Sequence, residues 1–470
     1  MNIPVSPSFR QFVLVKYPSL NGSEPFLRLF HYLCFGNFFD VSTKRLVIPT
    51  TTIAELVGRK PSDRHFNGQV ALERLRGKVL PGLKWSKHEW QSANSYGGKA
   101  REILDPGFDA EMTAALHKEY LSASDDLVDF VTGQPYAPSS RYGERAAATA
   151  EHEKALARIP LNATQSKILG YLRDLPYGHL FIRKLAKNRE RIRAAIETLP
   201  PEVRDVRWRI MASVHRNPTV YYQPSARERT CRLSGRGDTI LGLKSAVRKA
   251  ACAGWVECDL RSSQFAILAS KLRAPLSQAF VASGESIWRA FYEHTHGVST
   301  DPPPEVKKVF KEAMYSICFG KGVDNLTWML KEKGQLKLLS HPIIQELLKL
   351  RKAWFADNRK NGGAFDVWGE WQALDHTIDP VTKKTRRWAG SVAGSVIQSI
   401  EMEIIAPIFD VASKYGTSDQ FTICLFQHDG ATISFYSTEK TPRAQAKLKK
   451  AVEDRAAELG VSTVLEFTQL

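Results

Sequence analysis

The chain contains no Cys-x-x-Cys pair: its six cysteines, at positions 34, 231, 252, 258, 318 and 424, are scattered over 470 residues. That scatter excludes a zinc-ribbon type of site and a disulfide framework. The thiols read as reduced and mostly buried, as in a cytosolic protein. The N-terminus lacks a basic-then-apolar leader pattern, and no apolar run approaches the length of a membrane-crossing helix. There is no repeat of fixed period and no long low-complexity tract. Acidic residues are in deficit: 49 Asp and Glu stand against 66 Lys and Arg, a net charge of +17. This excess concentrates anions near the surface and favours a polyanionic partner, nucleic acid rather than a membrane.

What is present is apolar enough to fold. Hydrophobic residues make up 43% of the chain and aromatic residues 10%, sufficient for a substantial core spread over roughly two to four domains. One stretch, Trp255 to Ser270, organises the rest. Apolar residues lead to a single carboxylate, Asp259; Gln264 follows five positions later, then an apolar run from Phe265 to Ala269. The pattern predicts a strand that delivers Asp259 to its end, followed by a helix that buries Phe265, Ile267 and Leu268. Downstream, Lys307, Lys311, Tyr315 and Phe319 recur four apart and stop at Gly320. On a helix such positions drift slowly around one face. Gln398-Ser399 lies in an apolar helical run from Val392 to Phe409. Gln427-His428-Asp429-Gly430 separates two strand-like runs, 421–426 and 432–436. Asp429 is therefore expected at the tip of a tight turn.

These segments, with Cys231-Arg232-Leu233-Ser234 ahead of them, resemble in their order the motifs of family A DNA polymerases, the bacterial DNA polymerase I type. Single-subunit phage and mitochondrial RNA polymerases share that catalytic plan. The resemblance covers about residues 220 to 435. It implies an α+β right-hand fold with an antiparallel-sheet palm and helical fingers and thumb. It implies template-directed transfer of nucleotides from dNTPs to a primer 3′-OH. Two Mg²⁺ ions, for which Mn²⁺ can substitute, would be held by Asp259, Asp429 and the backbone carbonyl of Leu260. Two such ions neutralise the attacking and leaving oxygens in phosphoryl transfer. By the same resemblance Lys311 contacts the α-phosphate and protonates the leaving pyrophosphate, with Gln264, Arg289, Lys307, Tyr315 and Phe319 around the nucleotide. Arg232, Gln398 and His428 would meet the primer–template DNA. Other replication proteins are further candidate partners. The compact size suggests an enzyme of a phage, plasmid or other mobile element.

The sequence departs from the family at five of these positions. Lys307 replaces an Arg, so a point charge replaces a planar fork. Trp288 replaces a His near the phosphates, a contact that Arg289 could take over. Gln264 replaces a Glu, Phe319 a Tyr, and Gly430 a Glu. The last three keep one rival reading open, a single-subunit RNA polymerase or primase-polymerase; the N-terminal region keeps a second, a non-enzymatic replication initiator.

Along the chain, residues 1–95 read as an accessory, mainly helical domain. Phe26 to Phe39 has near-helical spacing, Arg45 to Ile48 reads as a strand, and Thr52 to Gly58 as a helix. A turn at 59–63 and a basic helix at 64–78 follow. This order fits a helix-turn-helix or winged helix, and equally an ordinary αα-hairpin. Residues 96–150 read as linker and helices, with a loop-rich boundary at 134–145. Asp109 and Glu111 could open a proofreading exonuclease, but Ile103 to Gly107 does not read as a buried strand and Met112 to Tyr120 reads as helix, so none is expected. Residues 151–218 form thumb-like helices, among them Thr164 to Leu175 and a basic stretch, Leu180 to Leu199. Residues 219–275 would be the first part of the palm, 276–388 the fingers, and 389–470 the second part of the palm.

Overall fold

A computed structural model describes residues 5–35, 39–40, 45–60, 67–86, 90–91, 99–120, 127–135, 151–216, 218–224, 230–236, 239–378 and 385–470. It divides into two compact units. One comprises Met1–Arg158, Pro176–Tyr221 and Gly235–Ala253; the other comprises Ile159–Leu175, Tyr222–Ser234 and Gly254–Leu470.

The first unit is less helical at its start than its sequence suggests. Lys99–Asp105 is a strand in a five-stranded antiparallel sheet, paired with Arg45–Pro49 on one side and with Lys84–Trp85 and Trp90–Gln91 on the other. Ile103 is buried there, which corrects the expectation that no buried strand precedes Asp109. The alternation is disguised because the inward position 101 is an arginine, itself buried. Helices Thr50–Leu56 and Gly68–Lys78 lie between the strands. Residues 61–66, which include the expected turn and the start of the basic helix, fall outside the described residues. So do 136–150, most of the expected loop boundary. The helix expected over Met112 to Tyr120 is present as Ala110–Tyr120.

The basic stretch from Leu180 to Leu199 forms two helices, Tyr177–Lys187 and Arg189–Glu197, broken at Asn188. The Asn188 amide donates to the carbonyls of Ala251 and Ala253, and Lys184 also donates to Ala253. Helix Pro201–Arg216 packs on the N-terminal residues: the Trp208 ring stacks on His117 with centroids 4.7 Å apart, and Arg209 donates to the Leu33 carbonyl at 2.6 Å.

The second unit is built on a four-stranded antiparallel sheet. Its strands are β1 (Val256–Leu260), β2 (Phe421–Phe426), β3 (Gly430–Phe435) and β4 (Leu465–Gln469), in the order β2-β3-β1-β4. Period-two alternation puts Val256, Cys258 and Leu260 into the core and leaves Glu257 and Asp259 on the open face. Helix α1 (Ser263–Lys271) follows β1 and is buried from Ser263 through Ala269. Helix α2 (Pro304–Cys318) starts with Pro at its first position, where the missing N–H costs nothing. It ends at Gly320, whose φ of 78° suits a left-handed cap. A Cβ at 320 would lie 2.8 Å from the Gly390 Cα. Helix α3 (Ala389–Ile405) begins at that crossing and is buried on nearly all sides.

The stretch Ala389–Tyr415 is long and apolar enough to meet the length and composition of a membrane span, against the expectation that no such run exists. Here it is the mostly buried centre of the second unit. It continues through Pro407, the first residue of helix Pro407–Tyr415. None of the six cysteines forms a disulfide, and all but Cys231 are buried.

Candidate active site

Asp259 and Asp429 come together because β1 and β3 are neighbours. Gly430 stands opposite Asp259 in the register, and the Leu260 N–H donates to the Asp429 carbonyl at 3.1 Å. Asp429 sits in a tight turn: its N–H donates to the Gln427 carbonyl at 3.0 Å, and the Gln427 N–H to the Gly430 carbonyl at 2.9 Å.

Two residues flanking the pair carry left-handed backbones without being glycine. His428 has φ 72° and Ser262 has φ 48°. Such conformations cost energy in L-residues and persist where the surroundings enforce them. One strained residue immediately precedes Asp429. The other follows the Asp259-Leu260-Arg261 segment and turns the chain into α1.

Both carboxyls are raised above the ordinary carboxylate range. The Asp259 side chain is open to water but rests on a floor of dense protein. Poor solvation is the first cause of its shift, and the charges of Asp429, Glu257 and Glu401 add to it. For Asp429, burial leads and Glu401 adds, while the Arg232 guanidinium opposes. Crowded carboxylates of this kind seek protons or cations.

Helix α2 brings Tyr315 to the same place. Although the side chain is 43% exposed, the dense protein around its hydroxyl solvates the charged form poorly and pushes it up to about 12, and the charges of Asp429, Glu401 and Asp259 act in the same direction. Lys311, one turn earlier, lies 5.9 Å from the centre of the Trp288 ring, in cation–π range. Lys307 is one turn earlier still. Arg289 is drawn elsewhere, to an exposed ion pair with Asp301 at 3.5 Å. Phe319 packs over a notch in α3: a Cβ on Gly394 would lie 3.0 Å from its ring. Gln264 is buried, its carbonyl accepts from the Cys318 thiol at 3.6 Å, and its side-chain Oε1 has no partner among the described residues.

Arg232 and Gln398 meet along α3. The Thr230 hydroxyl bonds to Gln398, and the Arg232 N–H donates to that hydroxyl at 3.2 Å. Arg232 Nη2 donates to Glu401 at 2.5 Å. The guanidinium is held above its usual range: burial works against it, and the Glu401 and Asp429 charges prevail.

Glu401 is the residue that sequence reasoning missed. Its signal was that it is one of two carboxylates, with Glu403, inside the mainly apolar run from Val392 to Phe409, three positions after Gln398.

Among the described residues no three His, Cys, Asp or Glu converge into a ready-made metal cage. A Mg²⁺ site does not require one, since this ion binds through one or two carboxylates and completes its shell with water and substrate phosphates. The acidic pair is a donor set of that size.

No protein-family model matches the sequence, and no curated protein matches it. Among solved structures the chain is similar to the POL domain of Pol1 from M. smegmatis, in a complex with DNA primer-template and dNTP. That similarity has a TM-score of 0.44 at 13% identity and covers 70% of this chain and 64%, less than two thirds, of the other.

Proposed function

We propose that the protein catalyses template-directed nucleotidyl transfer, extending a primer 3′-OH with dNTPs. The observation that carries this reading is the pairing of Asp259 and Asp429 on neighbouring strands, with Tyr315 of α2 in their field. These are the three segments whose sequences resemble the family A motifs.

In this account Asp259, Asp429 and the Leu260 carbonyl hold divalent cations, Mg²⁺ by the hardness of the donors. Bound there, the ions would neutralise charge on the reacting oxygens. The protein's own part is orientation. Lys307 and Lys311 receive the triphosphate, and Lys311 gives its proton to the leaving group. Tyr315 and Phe319 pack on base and sugar, with Gln264 below the sugar. Arg232, Gln398 and His428 hold the primer end. Arg289 joins the phosphates only by leaving Asp301.

Primer extension in Mg²⁺ with four dNTPs, repeated with four rNTPs, tests the reading. Incorporation of dNTPs is expected, and no extension with either set would sink it.

A second reading, a single-subunit RNA polymerase or primase, is favoured by Gly430 and by the Gln264–Phe319 combination. Strong rNTP preference or synthesis without a primer would select it.

A further inference from the structure

Glu401 occupies the middle of α3, and its side chain is 1% exposed. A carboxylate so buried is tolerated only when its charge is paired and its oxygens are hydrogen-bonded. Both oxygens are engaged. Oε2 accepts from Arg232 at 2.5 Å, and Oε1 accepts from the Ser263 hydroxyl at 2.8 Å.

The two partners lie far apart in sequence, and each borders the acidic pair: the Arg232 charge acts on Asp429, and Ser263 follows Asp259 by four residues. Ser263 opens α1 immediately after the strained Ser262, within one turn of the Asp259–Leu260 segment. Arg232 belongs to the segment that α3 grips at successive turns. The Cys231 thiol lies 3.8 Å from the Ser395 carbonyl, Thr230 bonds to Gln398, and Arg232 bonds to Glu401. Glu401 is thus the point at which the arginine segment, α3 and the turn after β1 are joined.

We propose that Glu401 is a positioning residue: by holding the Arg232 guanidinium and the Ser263 hydroxyl together, it sets the primer-end contact in register with the Asp259–Asp429 pair. This rests on the polymerase reading. Glu401 touches no reacting atom; it acts through Arg232 and through the turn that aims Asp259. Its charge also contributes to the raised state of both aspartates. An ordinary buried ion pair would stabilise the fold without linking these two segments functionally.

The test is a double-mutant cycle on the full chain, read in primer extension and in melting temperature. Glu401→Gln keeps the side chain's shape but takes the paired charge from Arg232, so its Tm is expected to fall and its activity is read well below that Tm. It should lower kcat about tenfold to a hundredfold, the usual cost of losing a residue that orients another, with the dNTP KM little changed. With Arg232→Lys already present, Glu401→Gln should cost much less, because the same contact has already been disturbed. Equal losses in both backgrounds, or full activity of Glu401→Gln, would overturn the proposal. Should Glu401→Gln fail to fold, Ser263→Ala decides, since it leaves the ion pair intact. A fall in kcat, measured well below a modestly lowered Tm, is expected, and unchanged kcat overturns the proposal. A wild type that extends no primer overturns the polymerase reading and the proposal with it. An active wild type with additive losses overturns the proposal alone.

Discussion

Gly430 stands directly across from Asp259, and the two backbones approach so closely that no side chain fits at 430. A Cβ there would lie inside contact distance of the Cys258 carbonyl oxygen and 3.2 Å from both the Cα and Oδ1 of Asp259. The glutamate that family A DNA polymerases carry after this aspartate therefore has no room on this backbone. Gly430→Ala should destabilise the protein by about 1–3 kcal/mol, the common cost of overpacking, and should disturb Asp259 enough to slow extension. Thermal melts and extension rates measure both. An unchanged Tm would mean that the strands can part freely.

Asp259→Asn and Asp429→Asn should each abolish extension while duplex binding stays largely intact. In the proposed function the carboxylates serve the metal, whereas affinity for DNA would come mainly from Lys and Arg contacts to phosphate. Extension and filter binding, compared side by side, separate the two effects. Near-normal extension by either variant would remove the two-metal assignment.

The same two groups should make the metal-free protein sensitive to pH. An unfolded Asp titrates near about 3.9, and both native pKa values are raised above that. The native state therefore holds protons more tightly than the unfolded chain. The associated stability is fully present below the unfolded value and is lost as pH rises through the native values. In metal-free buffer the Tm advantage of Asp429→Asn over the wild type should grow as pH rises from about 4 toward neutrality. Mg²⁺ should narrow that advantage by stabilising only the wild type. A Tm difference that ignores both pH and Mg²⁺ would argue against a strained acidic pair.

Sugar selection should be looser than the family norm. Gln264 is nearly isosteric with the usual Glu, so a steric block remains. Phe319 has no hydroxyl to hold it, and the buried Oε1 has no partner among the described residues. One missing hydrogen bond corresponds to roughly tenfold in selectivity, about 1.4 kcal/mol. Preference for dNTPs with detectable rNTP insertion is expected. Gln264→Ala should raise rNTP use, and Gln264→Glu with Phe319→Tyr should tighten it. The ratio of kcat/KM values at one template position is the measurement, and indifference to Gln264→Ala would acquit the residue of this role.

The motifs alone suggest that a chain begun at Glu151 should extend a primer. The structure changes that expectation. Helix Pro201–Arg216 rests on residues before 151, through Trp208 on His117 and Arg209 on Leu33. The shortened chain should expose Trp208 and lose solubility or cooperativity, which tryptophan fluorescence and melting would report. A well-behaved, active fragment would show the N-terminal residues to be dispensable.

The sequence by itself determined what depends on neighbours along the chain. Alternation from Val256 to Leu260 and the turn at 427–430 place both aspartates at strand ends. Spacing by four puts Lys307, Lys311, Tyr315 and Phe319 along one helix, since period and turn chemistry are local. The strand at Lys99–Asp105 was hidden because a buried Arg101 breaks the apolar alternation, and only its partners on both sides make it a strand. The closeness of Gly430 to Asp259 follows from sheet register, which pairs residues about 170 positions apart. The pairing of Glu401 with Arg232 and Ser263, and of Arg289 with Asp301, likewise required the chain to be folded. A charged side chain states its charge in the sequence, but the partner that repays its burial is chosen by the packing of distant segments.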